Sequence, residues 1–566
     1  MRKKRFLPLL ILVFALLAAA GGRPSAAGTA GTVVGYYAAW AGGLGYAPED
    51  IPAELFTQIH YAFAKIEDGK AALEDPGRDR EALRRLTALR KANADLKIVL
   101  AIGGWDESAW FSDAAASEAS REVFAESCAD LVREHGLDGV DLDWEYPVSG
   151  GAPGVVHRPQ DRENFTLLLK AVRAALDAQG RRDGKAYVLS IAGAADGGYL
   201  NHIEPRAVAE VVDHIFLMAY DLHGPWDPYA DFNAPLYPVS GGPSRYRASV
   251  DGGISAWLGR GVPAEKLVLG MPLYGYIYQG VPRGSSGLYS SFLSAGSVAW
   301  NTVKRDYLAN SAYRRFRHEE AEVPWLYGGG VFLSYDDPVS IAAKAELARQ
   351  RGLGGVGFWE LSQDGEGDLI QSAWAAWNGG HFRDVPRDAW YAGAVDRVCA
   401  AGLMNGTGPG TFSPGGTVTR GQLAAILYRL AGEPAVYGSS FPDVPASAYY
   451  AKAVAWAARQ DVVTGFADGS FRPDLPVSRQ QLAAILWRYA GLKGADSGRR
   501  ASLAPYRDAG EVGGYAEEAL KWALAEGILQ GTKEGDLLPQ GRAARGQAAV
   551  LLERFQALLN GGPAAG

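Results

Sequence analysis

The chain has 566 residues, with 63 acidic against 56 basic side chains, a formal charge of −7 and 48% apolar residues. That length is too great for one ordinary domain, and the composition is that of a folded protein whose mild acidity argues against nucleic acid as a partner. With only Cys128 and Cys399, it is no disulfide scaffold, and no Cys/His spacing suited to a metal occurs, so neither metal nor cofactor is expected.

Residues 1–27 read as a secretory signal: Met1-Arg2-Lys3-Lys4-Arg5, an apolar run from Phe6 to Ala20, then small residues at Ser25-Ala26-Ala27. The run is short for a membrane span, and no span is expected once it is cleaved. From residue 32 to 378, short apolar strands alternate with helical patterns. The strands are Val33–Ala39, Gln58–Ala64, Lys97–Gly103, Gly139–Glu145, Tyr187–Ala192, His214–Tyr220, Lys266–Leu273 and Gly355–Glu360. Helical stretches such as Arg80–Asn93, Ser120–His135, Arg162–Gln179 and Ile341–Arg351 fall between them. Eight strands with intervening helices predict an α/β fold, a (β/α)8 TIM barrel whose site lies at the C-terminal strand ends. Residues 274–337 are too long for a plain connection and rich in Tyr, Gly and Ser, which predicts a small α+β insertion.

Beyond Asn378 a unit recurs three times, over 382–431, 441–490 and, more loosely, 506–557. Each carries a Phe/Tyr-led start, a helix, a Gly-rich loop and a second helix. The second helices open at Thr419-Arg420-Gly421-Gln422, Ser478-Arg479-Gln480-Gln481 and Ala544-Arg545-Gly546-Gln547. Units that cannot bury an apolar face alone stack on one another, so a mostly α-helical repeat domain is expected.

The chemistry concentrates in Asp138-Gly-Val-Asp141-Leu-Asp143-Trp-Glu145-Tyr-Pro147, four carboxylates in eight residues of an apolar strand. Strand alternation points Asp141, Asp143 and Glu145 to one face. Crowded, buried carboxylates repel and raise at least one pKa, which keeps a proton available near neutral pH. A solvated surface strand would not carry Val140, Leu142, Trp144 and Tyr146, and a calcium loop needs ligands spread around a turn. Aromatics are plentiful, with 15 Trp and 27 Tyr; most read as core, and those at strand ends can stack on sugar rings.

Asp-x-x-Asp-x-Asp-x-Glu followed by Tyr146-Pro147 resembles the signature of family-18 glycoside hydrolases, the chitinase family. Gly35-Tyr36-Tyr37, Tyr61-Ala62-Phe63-Ala64, Gly103-Gly104-Trp105, Met218-Ala219-Tyr220-Asp221 and Phe358-Trp359-Glu360 match in order. The resemblance implies substrate-assisted hydrolysis of β-1,4-linked N-acetylglucosamine polymers such as chitin. It implies Glu145 as general acid and base, Asp143 orienting the 2-acetamido group, and Asp141 behind it sharing a proton. Tyr220 and Asp221 would contact the acetamido group. Trp359 would floor the cleavage point, Trp105 would stack beside it, and Tyr36, Phe63, Met218 and Tyr146 would line the pocket. Asp138, at the strand start, reads as structural.

The C-terminal units resemble S-layer homology repeats, which hold proteins to the bacterial cell surface. That resemblance implies a secreted, wall-attached protein. An acidic secondary wall polysaccharide would be its partner, with Arg420, Arg479 and Arg545 gripping the acidic group. A guanidinium suits that task because it can hold a carboxylate through two charge-assisted bonds.

Two residues depart from the family pattern. Ala101 stands where a serine is usual on the third strand, and Tyr276 where an arginine is usual after the seventh. Other readings are a peptidoglycan- or N-glycan-cleaving enzyme of the same barrel class, a non-catalytic lectin, and a mainly structural surface-layer protein. Lectin relatives lose the acid, whereas Glu145 and Asp143 are present here.

Overall fold

Short β-branched and apolar runs, each followed by a helix, hide both faces in a helix-covered parallel sheet, which here closes into a barrel. The computed structural model describes residues 31–560, apart from 244–247, 283, 285, 309, 380–381, 383, 387–388, 409, 437–440 and 496–497. The expected secretory leader, residues 1–27, lies outside the described residues.

The strands in chain order are β1 (Thr32–Ala38), β2 (Gln58–Glu67), β3 (Lys70–Leu73), β4 (Lys97–Gly103), β5 (Gly139–Asp143), β6 (Val188–Ala194), β7 (His214–Met218) and β8 (Leu267–Pro272). They continue with β9 (Tyr274–Gln279), β10 (Ser294–Ala299), β11 (Arg314–Arg317), β12 (Pro324–Gly328), β13 (Val331–Ser334) and β14 (Gly355–Trp359). Parallel pairing runs β1-β2-β4-β5-β6-β7-β8-β14 and back to β1, closing the eight-stranded barrel. β3 is a short antiparallel addition to β2. The insertion is a five-stranded antiparallel sheet in the order β10-β9-β13-β12-β11, with a short helix at Trp300–Thr302.

Two of the helices between strands, Pro76–Ala88 and Glu118–Glu134, start at side-chain caps. Asp75 accepts from the N–H groups of Gly77 and Arg78, and Ser117 from that of Ser120. The helix Glu118–Glu134 turns Phe124, Cys128 and Val132 inward, so Cys128 is a buried core side chain. No described helix is long and apolar enough to cross a membrane.

The three repeats close into a ring. Each second helix packs on the first helix of the next unit: Arg420–Leu430 on Ala451–Arg459, Arg479–Leu492 on Glu517–Ala525, and Arg545–Leu559 on Ala392–Ala400. At the centre, backbone bonds form a closed triangle, with Val418 N–H on Ala543, Ala543 N–H on Val477 and Val477 N–H on Val418. In every unit an aspartate pins the loop through two backbone N–H groups: Asp384 at Phe412 and Ser413, Asp443 at Phe471 and Arg472, Asp508 at Leu537 and Leu538. The third unit thus keeps its loop despite its divergent sequence. It gives up one cap, because Thr419 and Ser478 accept from their N3 amides whereas Ala544 has no oxygen to do so. The first unit joins the barrel through Ala375, which packs in the repeat core, and through Arg315 on Glu433 at 2.6 Å.

Candidate active site

β5 carries the acid motif to the mouth of the barrel. It ends at Asp143, two residues short of the strand expected from the sequence, and Glu145 stands just beyond. Ser108 fixes that exit: its Oγ accepts from the Glu145 N–H at 2.9 Å and lies 2.8 Å from the Gly104 carbonyl. Gly103 sits opposite Asp143 in the β4–β5 pairing with a φ of 105°, and a Cβ there would lie 2.3 Å from the Asp143 carbonyl oxygen. Only glycine fits so close to the acid strand.

Asp141 is fully enclosed inside the barrel. Tyr36 donates its hydroxyl to Oδ2 at 2.7 Å and Ser190 to Oδ1 at 2.6 Å, while the His60 ring stands 3.6 Å away, too far for a hydrogen bond. Burial opposes its charge, but His60, Ser190 and Tyr36 together hold its carboxyl below the ordinary value. The register accounts for Ala101: it lies beside Asp141 on one flank, and Ser190 of β6 lies opposite on the other and supplies the missing hydroxyl. Beneath, His214 is pushed down to about 3 by burial and is neutral.

Asp143 is different. Its Oδ1 is buried with no hydrogen-bond partner among the described residues, and burial followed by the charges of Glu145 and Asp141 raises it well above the carboxylate range. Glu145 is raised to about 7, first by burial and then by Asp221 and Asp106, with Tyr146 pulling the other way. The three carboxyls therefore form a graded set: Asp141 held low, Asp143 held high, and Glu145 raised to about 7.

Asp143, Glu145, Tyr220, Asp221, Phe63, Trp105, Tyr146, Met218 and Trp359 all line one open cleft of about 1170 Å³. Trp359 stacks on Phe63 with centroids 5.5 Å apart, and Trp40 meets its edge at 6.4 Å. Trp105, Trp40 and Trp226 are about half exposed or more along the cleft. Tyr36 corrects the sequence reading: it is 1% exposed and holds Asp141 and the underside of Trp359, so it supports the floor and does not line the cleft. Its phenol is turned into the barrel because Asp141 is the acceptor within reach. Asp138 accepts from the Ile98 N–H and pairs with Arg90 and Lys185, a structural role.

Sequence reading missed Ser190, His60 and Ser108, as well as the partners of Asp221. A lone serine in the apolar run Val188–Ala194 was the available signal for Ser190.

Arg420, Arg479 and Arg545 lie far along the chain, in the repeat ring, and share one geometry. Nε and Nη2 of Arg420 donate to the Phe471 and Thr464 carbonyls, those of Arg479 to Leu537 and Gln530, and those of Arg545 to Phe412 and Asn405. Each arginine therefore latches its unit to the loop of the next. Among the described residues, no cluster of three or more His, Cys, Asp or Glu side chains is arranged to hold a metal.

The sequence matches the family model Glycosyl hydrolases family 18 over residues 32–364, and the S-layer homology domain over 381–424, 440–483 and 505–549. Chitinase A1 of Niallia circulans is 36% identical over 64% of this chain and 61% of its own, so this chain spans about three fifths of that relative. Chitinase B of Serratia marcescens is 30% identical over 66% of this chain and 86% of its own. A family 18 N-acetylglucosaminidase from Paenibacillus barengoltzii superposes with a TM-score of 0.57 at 35% identity, covering 61% of this chain and 99% of that one. Barrel, acid strand and family match coincide: the chain belongs to glycosyl hydrolase family 18, with three S-layer homology repeats following its barrel.

Proposed function

We propose that the protein is a retaining chitinase held at the bacterial cell surface by its repeats. One observation carries the reading: Glu145, raised to about 7, stands in the cleft beside Asp143, whose Oδ1 has no hydrogen-bond partner among the described residues. Protonated Glu145 gives its proton to the glycosidic oxygen as that bond breaks. The substrate's own 2-acetamido oxygen attacks the anomeric carbon and forms an oxazolinium ion, with no enzyme nucleophile needed. The acetamido N–H supplies the donor that Asp143 lacks. Ionised Glu145 then takes a proton from water, which opens the oxazolinium ion from the face of the departed sugar and leaves the product β.

The cleft's charge favours neutral N-acetylglucosamine chains over muramyl glycans, whose lactyl carboxylates are anionic. Among the described residues, the lining outside the catalytic carboxyls carries Glu74, Asp106, Glu107 and Asp196 together with the cation Arg78, itself bonded to Glu74 at 2.9 Å and Asp79 at 2.8 Å. The similarity to chitinases from Niallia circulans and Serratia marcescens supports the same substrate.

At the wall, the arginines' Nε and Nη2 are committed to the neighbouring unit, which leaves the Nη1 edges of Arg420, Arg479 and Arg545 as the candidate contacts for an acidic polysaccharide. Loss of binding when purified walls are stripped of that polysaccharide supports the anchor reading; unchanged binding overturns it. For the enzyme, the test is turnover of chitin oligosaccharides by the full chain and by Glu145→Gln. Cleavage abolished in the variant supports the assignment. A folded wild-type protein that cleaves peptidoglycan or N-glycans and leaves chitin oligosaccharides intact overturns it.

A further inference from the structure

Asp221 is held in an unusual way. It has a left-handed backbone, φ 54°, uncommon for any residue but glycine. Asn233 secures that turn, accepting the Asp221 N–H at 2.8 Å while its own amide donates to the Tyr274 carbonyl at 3.2 Å. The side chain is then fixed by two phenols on one strand face of β9. Tyr274 and Tyr276 both donate to the same oxygen, Oδ1, at 2.5 and 2.7 Å. Alternation along β9 puts these two residues on one side, and Trp226 meets the Tyr276 ring edge-on with centroids 5.8 Å apart. Both donors being neutral, Asp221 is oriented without being neutralised. It is open to solvent through the cleft mouth and walled by protein elsewhere.

We propose that Tyr276 is a positioning residue for catalysis: with Tyr274 it fixes the Asp221 carboxylate through uncharged donors, so that the full negative charge of Asp221 acts on Glu145. The inference rests on the reading of Glu145 as the general acid. Among the described residues, the groups on Asp221 are Tyr274 and Tyr276 from β9, Asn233 from the loop after β7, and Tyr220 beside it, with Trp226 of that same loop against the Tyr276 ring. Those facing Glu145 are Asp143 from β5, Asp106 from the turn after β4, Asp221, and the phenols of Tyr146, Tyr199 and Tyr220. None of these groups is a cation. Burial in the cleft wall raises the Asp221 carboxyl, the two tyrosine bonds lower it, and Asp221 in turn helps to raise Glu145.

A general acid works protonated, so activity falls as pH rises through the Glu145 value, and whatever lowers that value moves the fall to lower pH. A guanidinium at 276 pairs with Asp221 and cancels its field at Glu145. Tyr276→Phe removes one donor and adds no charge.

The experiment measures kcat/KM against pH on a chitin oligosaccharide for the full-length wild type, Tyr276→Phe and Tyr276→Arg, with melting curves to establish folding. Tyr276→Arg is expected to move the alkaline limb down by about half a pH unit or more, as expected for an opposite charge placed on the interacting carboxylate. Tyr276→Phe is expected to lower kcat/KM about fivefold, the loss of one hydrogen bond, with the limb in place. A folded Tyr276→Arg with an unmoved limb, or a Tyr276→Phe with undiminished kcat/KM, overturns the inference. Wild-type protein inert on the substrate defeats the proposed function instead, so the two failures are distinguishable.

Discussion

Ser190→Ala probes the acid cluster with almost no change of shape. The substitution removes one hydroxyl, leaves no cavity of consequence, and takes away the bond of 2.6 Å to Asp141 Oδ1. Asp141 is fully buried and keeps its charge only because His60, Ser190 and Tyr36 outweigh burial. A hydrogen bond to a buried charge contributes about 1.5–3 kcal/mol, so the expected loss at pH 7 is about 2 kcal/mol. Because the folded-state value of Asp141 lies below the ordinary aspartate value of about 3.9, its stabilisation is complete above that ordinary value and fades as pH falls through the folded-state value. The cost of Ser190→Ala should therefore be full at pH 7 and shrink below about pH 4. Urea titrations followed by tryptophan fluorescence at pH 7 and pH 3.5 measure it. A loss under about 0.5 kcal/mol at pH 7, the range of inconsequential surface changes, would refute the reasoning that Ser190 stands in for the missing hydroxyl at position 101.

Three further outcomes follow from the same geometry. Turnover of chitin oligosaccharides should fall off above about pH 7, where Glu145 loses its proton, and a pH–rate profile flat to pH 9 would contradict that role. Arg420→Ala deletes two bonds to carbonyls of the next repeat and packing over the Phe471 ring. It should cost about 2–4 kcal/mol in the repeat ring, read as a lower melting transition with barrel turnover unchanged. Gly103→Ala forces a Cβ to 2.3 Å from the Asp143 carbonyl and 2.6 Å from Phe111. It should abolish activity or folding, and a variant with wild-type kcat/KM would show that the β4–β5 contact is looser than described.

The barrel and the gathering of the carboxylates at its mouth were legible because both obey short-range rules. Alternation along residues 139–145 puts Asp141, Asp143 and Glu145 on one face, and the fold opens its site at the strand ends where Trp105, Asp221 and Trp359 fall. The partners were not legible, because they belong to register between distant strands. Ser190 meets Asp141 across β5 and β6, 49 residues on, and Tyr276 meets Asp221 across 55 residues from the insertion sheet. Tyr36 was misread for a related reason: its strand predicts the barrel interior but not whether its hydroxyl turns to the cleft or to the buried aspartate. In the repeats, spacing revealed three units, and the arginines were read as ligand contacts. Their bonds to the next unit depend on the ring closing, with Arg545 of the last unit reaching Phe412 and Asn405 of the first. No local pattern encodes that closure.

The central claim is substrate-assisted retention with Glu145 as acid, and the anomer of the first product tests it most directly. Proton NMR of chitin oligosaccharide hydrolysis by the full-length protein, read before mutarotation, should show the new reducing end as the β-anomer, and Glu145→Gln should release none. An α-anomer as the initial product would mean that water attacks the opposite face of the ring, and the account built on the acetamido group and Asp143 would be wrong.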